Sequence, residues 1–194
     1  MKTLLTIPLS LLLLIATTPL AAKTDTTSKD EQKQAKTYGT KKHGKLIHFA
    51  DGMFRDGSDQ IEIGQVIKLK KESIQVKSVK LYAFDSAMDN MDFKISFYKV
   101  ENGRPTLIQI HKPIMQSQSI KEGWLTLDLS KYDLQINEDF VVALETERKS
   151  SDVGSLSYEV KPLANRHSYY RINGNKTWKR PPHRYCLQVV ADVL

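Results

Sequence analysis

The chain has little cysteine: Cys186 is the only thiol among its 194 residues. A single cysteine cannot form a disulfide within the chain, so the fold has to depend on its apolar core. The surrounding sequence RYCLQVVADVL alternates apolar and polar residues, which is typical of a strand. We therefore predict a buried and inert thiol, with a disulfide to another chain as the alternative.

The chain also lacks the short motifs that mark common catalytic sites. Its five histidines form no H-E-x-x-H pair, and no G-x-S-x-G sequence is present. These absences exclude a helical zinc-hydrolase motif and a nucleophile elbow, and they predict a protein that is not an enzyme. A hydrolase whose residues meet only in space is the alternative, because a Ser-His-Asp site is defined by its geometry.

Long apolar runs are absent beyond the N-terminus. The run LLTIPLSLLLLI follows a lysine and precedes ATTPLAA, and this order is typical of a secretory signal that is cleaved after Ala22. The run is shorter than the ~20 apolar residues of a spanning helix, and Pro8 interrupts it. No cysteine follows that could hold a lipid anchor. We predict a signal peptide over residues 1–22 and a secreted or periplasmic protein with no transmembrane segment after cleavage.

The next segment, residues 23–43, contains no Val, Ile, Leu, Met, Phe or Trp. Such a segment cannot bury enough apolar surface to offset its ordering entropy, so we predict a flexible polar leader. The net charge of the chain is only +7, and its basic residues are scattered without a nucleic-acid-reading motif. Nucleic acid is therefore not the expected partner.

Residues 44–194 show repeated two-residue alternation, which is typical of strands with one buried face. The clearest sets are Phe93, Ile95 and Phe97 opposite Lys94, Ser96 and Tyr98, and Leu125, Leu127 and Leu129 opposite Trp124, Thr126 and Asp128. The turn signals ENGRP, KEG, INED and NGN separate these runs, and no long helical period appears. The sequence predicts one all-β domain, an antiparallel two-sheet β-sandwich, with an up-and-down barrel as the alternative.

Three stretches together resemble a known group of modules. They are MDFKISFYKVENGRPTLIQIHKPI, IKEGWLTLDLSKYDLQINEDFVVALE and SYYRINGNKTWKRPP. This chain resembles, over roughly Gly44 to Leu194, the jelly-roll-like β-sandwich modules of secreted Bacteroidota proteins, which occur alone after a signal peptide or beside carboxypeptidase-regulatory-like domains. The resemblance implies a jelly-roll-like fold and an extracytoplasmic accessory or binding module, and it implies no catalytic residue.

The aromatic and basic stretch SYYRINGNKTWKRPPHRY is the best candidate binding site. Sugar sites combine flat aromatic faces with side chains that hydrogen-bond to hydroxyl groups. The candidate ligand-binding residues are Tyr169, Arg171, Trp178 and Arg180. A turn at residues 173–175 predicts a hairpin in which Tyr169 and Arg171 share one face, while Tyr170 and Ile172 share the other. The alternative is a structural hairpin whose aromatic side chains pack against one another.

An acidic loop could hold a calcium ion, because Ca²⁺ prefers oxygen ligands on a loop that can wrap around it. The candidate metal ligands are Asp51, Asp56, Asp59 and Glu62. A second acidic loop with Asp85, Asp89 and Asp92 could join them in space. Plain turns are the alternative, because Asp and Gly are ordinary turn residues. No other cofactor is expected.

These observations favour a secreted or periplasmic, non-enzymatic binding module. The expected partner is a glycan or another cell-surface polymer. The alternative is a structural or assembly protein of the envelope that contacts other proteins, and the less favoured one is a hydrolase with a spatially assembled site.

Overall fold

The computed structural model of the protein describes residues 35–40, 48–49, 54–55, 59–86, 90–147, 156–162, 167–172 and 174–194. These residues form strands and one short 3-10 helix, Ser130–Tyr132. The strands are β1 Ala35–Gly39, β2 His48–Phe49, β3 Phe54–Arg55, β4 Asp59–Ile67, β5 Ile74–Ser86, β6 Asn90–Glu101, β7 Arg104–Ser119, β8 Gly123–Asp128, β9 Gln135–Ile136, β10 Phe140–Glu147, β11 Leu156–Pro162, β12 Ser168–Ile172, β13 His183–Tyr185 and β14 Leu187–Val193. Within this part of the chain, no helix is long and apolar enough to cross a membrane.

The strands form two antiparallel sheets. In the first sheet the order is β1-β14-β5-β11-β13, with β8 and β9 also paired to β5 and β2 paired to β11. In the second sheet the order is β12-β4-β10-β6-β7, with β3 paired to β4. The predicted all-β antiparallel sandwich is therefore confirmed, and two separate sheets replace the alternative of one closed barrel.

One apolar core lies between the two sheets, and residue alternation explains its composition. On β6 the side chains of Phe93, Ile95 and Phe97 are fully buried in this core. On β8, Leu125 and Leu127 contribute to it from the opposite sheet. Burying one such side chain contributes about 1.5–3 kcal/mol, so the repeated alternation fixes which face of each strand turns inward.

The β6–β7 hairpin follows from its turn sequence. Asn102 and Gly103 connect the two strands and have φ angles of 50° and 71°. A two-residue turn with positive φ at both positions matches the twist of the flanking strands, and Asn-Gly is its preferred sequence. This turn places the long strand β7 at the edge of the second sheet.

The described fold begins nine residues earlier than the predicted domain, at Ala35 instead of Gly44. The segment Ala35–Gly39, which composition assigns to the flexible leader, forms β1 and pairs with β14. Tyr38 is buried in the core, and its hydroxyl donates a hydrogen bond to Glu72 at 2.7 Å. Lys36 forms an ion pair with the same carboxylate at 2.6 Å. Composition missed β1 because its one core residue is a tyrosine. The predicted signal peptide lies outside the described residues.

Candidate functional site

The predicted site residues come together on the outer face of the second sheet. On β12, Tyr170 packs towards the core, whereas Tyr169 belongs to a separate cluster on the opposite face. Tyr170 and Lys179 exchange two backbone hydrogen bonds of 2.8 and 2.9 Å, so the chain after β12 folds back across the sheet. This return places Trp178 beside Tyr169 on the outer face. The predicted hairpin is present, and it is short.

A row of charged residues crosses four neighbouring strands of this face. In register they are Lys94 on β6, Glu145 on β10, Glu62 on β4 and Arg171 on β12. The two glutamates are adjacent, and each is bonded to a cation on its other side: Lys94 Nζ lies 2.8 Å from Glu145 Oε2, and Arg171 Nε bonds to Glu62. Burial alone would lower the pKa of Lys94, but Glu145 raises it above its usual value. The row is therefore electrically balanced.

The Tyr98 side chain lies beside the Glu62–Arg171 pair at one end of this row. Its hydroxyl donates to Glu62 Oε1 at 2.9 Å and accepts from Arg171 Nη2 at 2.6 Å. Burial raises the pKa of Tyr98, and the charge of Glu62 adds to that effect. Burial alone would lower the pKa of Arg171, but its hydrogen bond to Glu62 and the charge of that carboxylate raise it. Tyr98 thus stays neutral and Arg171 stays charged near neutral pH.

Trp178 covers this cluster and is partly buried by its contacts with it. The Arg171 guanidinium lies 4.9 Å from its ring centroid, and Tyr98 meets it edge-on at 5.5 Å. Its Nε1 donates to the Thr106 carbonyl at 3.0 Å. The indole also lies against the backbone of Gly64, where a Cβ would approach it to 3.2 Å. Trp178 is therefore a packing residue here, and its faces are in contact with protein.

Tyr169 is also a packing residue, since only 3% of it is exposed. Its hydroxyl donates to the Gly103 carbonyl at 3.2 Å and accepts from Arg180 Nη2 at 3.1 Å. The Arg180 guanidinium lies 5.4 Å from the centre of its ring. Of the four predicted ligand-binding residues, all of them described, only Arg180 is exposed.

Beside this cluster a groove of about 570 Å³ opens at the end of the second sheet. It is lined by Val66, Lys68, Val100, Gly103, Asp139, His167 and Arg180. The Asp139 carboxylate accepts a hydrogen bond from the Leu69 backbone N–H at 2.9 Å. Lys68 and Arg180 are exposed, and within the described residues neither forms an ion pair with a carboxylate. Two cations and one hydrogen-bonded carboxylate give the groove a positive potential that attracts anions.

Sequence reasoning missed Lys68 and His167 as members of this groove. Lys68 follows the end of β4, and His167 precedes β12. The Val66 N–H donates to the His167 carbonyl at 2.7 Å, which joins the two segments. Only the pairing of β4 with β12 brings them together, and no local pattern predicts that pairing. The cluster KLKK was the one available signal for Lys68.

The calcium prediction falls mainly outside the described residues. Asp51 and Asp56 are not described, and Asp59 is described only as the first residue of β4. Both oxygens of Glu62 accept hydrogen bonds, one from Tyr98 and one from Arg171, so a calcium ion there would have to displace this arginine. Of the second acidic loop, Asp89 is not described. Among the described residues, no group of three or more His, Cys, Asp or Glu could hold a metal ion.

No family model and no curated protein matches the chain. Solved structures show a likeness of fold. A chain of the cysteine protease and lectin-like domains of Cwp84, a surface layer associated protein of Clostridium difficile, aligns at a TM-score of 0.53 and 11% identity, over 70% of this chain and 32% of that one. The clostridial cysteine protease Cwp84 after propeptide cleavage aligns at 0.56 and 11% identity, over 82% and 40%. The chain thus matches well under half the length of these proteins, and the likeness supports a shared sandwich fold. The resemblance to Bacteroidota modules stays a prediction.

Proposed function

We propose that this protein is an extracytoplasmic, non-enzymatic binding module that attaches to an anionic glycan of the cell surface through the groove beside Tyr169. The observation on which the proposal rests is the pair of exposed cations, Lys68 and Arg180, that line one groove without an acidic partner among the described residues. Carboxylate and sulfate groups on sugars are matched by such cations through charge-assisted hydrogen bonds.

The groove also has the rigidity that a binding site needs. Arg180 is held over the ring of the buried Tyr169, so its guanidinium loses little freedom when it binds an anion. Val100, which is partly exposed at the groove, supplies apolar surface for the C–H groups of a sugar ring. Charge and apolar contact in one groove fit an acidic sugar better than they fit a free inorganic ion.

The structural neighbours are compatible with this proposal. One of them is named for the cysteine protease and lectin-like domains of a surface layer associated protein, and lectin domains are among the proteins built on double-sheet jelly rolls. The predicted signal peptide would place this chain outside the cytoplasm, where surface glycans occur. A hydrolase is the less favoured alternative: His167 and Asp139 line the groove, but in the part of the chain described no serine, threonine or cysteine does.

Calorimetric titration of the protein with a uronic-acid polysaccharide and with an uncharged glucan tests the proposal. We expect the acidic polymer to bind with an affinity that falls as salt is added, whereas any binding of the glucan should not depend on salt. Lys68→Ala and Arg180→Ala should each reduce the affinity by roughly tenfold, because a hydrogen bond to a charged group contributes about 1.5–3 kcal/mol. Lys131→Ala is the matched control, since this exposed lysine lies in the 3-10 helix, outside the groove. No binding of the acidic polymer, or binding that neither salt nor the two groove substitutions weaken, would refute the proposal.

A second candidate function is contact with an envelope protein through β7. This strand lies at the edge of the second sheet and exposes Leu107, Ile108 and Met115 at 42%, 52% and 44%. Edge strands with apolar side chains readily add a strand from another protein. Cross-linking in cells should then capture a partner that Ile108→Lys loses and Lys68→Ala keeps. Recovery of this chain alone, with a monomer in solution, would count against the candidate.

A further inference from the structure

The first sheet presents a different kind of surface around Trp124. This residue lies on β8, opposite Tyr82 of β5 in register, and its side chain points away from the core that Leu125 and Leu127 enter. Trp124 is 37% exposed, whereas Trp178 is packed on the other sheet. Trp124 is thus the more exposed of the two tryptophans, with ring surface to offer a ligand.

The ring is held in a fixed orientation. Tyr82, which is only 8% exposed, meets Trp124 at a right angle with 5.4 Å between the ring centroids. Cross-strand aromatic pairs of this kind stabilise a sheet and restrict the rotamers of both residues. A ligand that stacks on Trp124 therefore meets a surface that is already ordered.

A depression of about 310 Å³ adjoins the ring where the chain passes from β7 into β8. Its lining consists of Gln118, Ser119, Lys121, Glu122, Trp124, Leu125 and Thr126. Besides the indole N–H of Trp124, five of these side chains carry hydrogen-bonding groups, namely an amide, two hydroxyls, an ammonium and a carboxylate. Lys121 and Glu122 have opposite charges, so the depression has no net charge, in contrast to the groove on the second sheet.

This combination selects among ligand classes. A sugar ring has a face of C–H groups that stacks on an aromatic ring and a rim of hydroxyls that need donors and acceptors. An apolar peptide or a lipid would need more apolar lining than one tryptophan and the buried Leu125 provide. An anionic ligand would find Lys121 offset by Glu122.

We propose that the depression beside Trp124 is a second binding site, which takes an uncharged sugar ring stacked on the indole. It lies where β7 of the second sheet leads into β8 of the first, and it shares no lining residue with the groove. The inference therefore goes beyond the proposed function and does not depend on it.

The two tryptophans make a direct test possible, because each gives one indole N–H signal in a nitrogen–proton correlation spectrum. The labelled protein is titrated with neutral oligosaccharides of glucose, mannose and N-acetylglucosamine. We expect at least one of them to shift the Trp124 signal in a saturable way while the Trp178 signal, whose N–H is bonded to the Thr106 carbonyl, stays in place. Trp124→Ala should reduce the affinity at least tenfold.

Two further variants keep the test decisive if Trp124→Ala disturbs the sheet. Thr126→Val and Gln118→Ala each remove polar groups at the depression and should weaken binding several-fold while Trp124 stays in place. Tyr132→Ala, which removes an aromatic residue outside the depression, is the matched control and should bind as the wild type does. Lys68→Ala should weaken binding of the acidic polymer without affecting the neutral sugar, so the two sites can fail separately. The proposal is overturned if no neutral sugar shifts the Trp124 signal, or if Trp124→Ala binds normally.

Discussion

At the residue scale, the outer face of the second sheet is organised around a glycine. Gly64 lies between Ala143 on β10 and Tyr169 on β12 in the ladder, and the indole of Trp178 rests on its backbone. A Cβ at this position would meet Val141 Cγ1 at 3.0 Å and the indole at 3.2 Å. The missing side chain is what allows Trp178 to close over the charged row.

Gly64→Ala should therefore lift the indole from the sheet. We expect the free energy of unfolding to fall by about 1–3 kcal/mol, the usual effect of overpacking a filled site. The emission of Trp178 should shift to longer wavelength as its ring meets water. Urea unfolding followed by fluorescence measures the free energy of unfolding and the emission of Trp178. The experiment uses a Trp124→Phe background, in which Trp178 is the only tryptophan. Unchanged stability and emission would contradict the prediction.

Gly103→Ala at the open β6–β7 turn is a comparison in which a new Cβ has space but the φ of 71° is unfavourable.

At the element scale, the strands differ in how far sequence could predict them. Strands β6 and β8 follow from alternation, because each buries one face in the core. Strand β1 does not, because it depends on backbone pairing with β14 and on Glu72, which is distant in sequence. Strand β1 buries a single side chain, Tyr38, so its sequence shows no repeated alternation of apolar and polar residues.

The candidate site shows the same limit. Alternation along β12 correctly predicts that Tyr169 and Arg171 share a face, because the alternation of side chains depends only on the strand itself. What covers that face depends on the sheet order β12-β4-β10-β6, which brings Gly64 and Tyr98 under Trp178. Alternation along β8 places Trp124 on the face opposite the leucines, and the side chain is exposed there. The groove could not be predicted from the sequence, because only that sheet order brings Lys68 and Arg180 to the same groove.

The attachment of β1 should depend on pH. Hydrogen bonds from Lys36 and Tyr38 lower the pKa of Glu72 below its usual 4.5. A lowered folded-state pKa means that the stabilisation is present above the unfolded value and is lost as pH falls through the folded value. We expect protection of the β1 amides against hydrogen exchange near neutral pH, and its loss in acid below pH 4.5. Glu72→Gln should show weak protection throughout. A wild type whose β1 amides keep their protection factors in acid would argue against this link.

At the scale of the whole molecule, the two sheets share one core, and Cys186 is buried beside it. This thiol is fully buried, and its backbone N–H donates to the Glu159 carbonyl at 3.1 Å. The residue lies between β13 and β14, which pair with different strands of the first sheet. Access to the sulfur therefore requires part of the first sheet to separate.

Cys186 should consequently report on opening of the sandwich. We expect a thiol reagent to label the native protein far more slowly than the urea-unfolded chain, because only the open fraction reacts. The labelling rate should rise with urea in parallel with the fraction of open molecules. Gly64→Ala should accelerate labelling if the second sheet and the first open together, and Lys131→Ala should not. Labelling of the native protein at the rate of the unfolded chain would show that the sulfur is accessible without opening.

The pairing of β1 with β14 has a mechanical consequence. Ala35 lies opposite Asp192 and Gly39 opposite Gln188, so the chain enters β1 and leaves β14 at the same end of their ladder. Tension applied through those two points would break the backbone hydrogen bonds one after another, since each is loaded in turn. Each contributes only about 0.5–1.5 kcal/mol, so β1 should peel off under a weak pull while β14 stays bound to β5. The detached β1 would then extend the segment that leads into the sandwich, while the core between the two sheets stays folded.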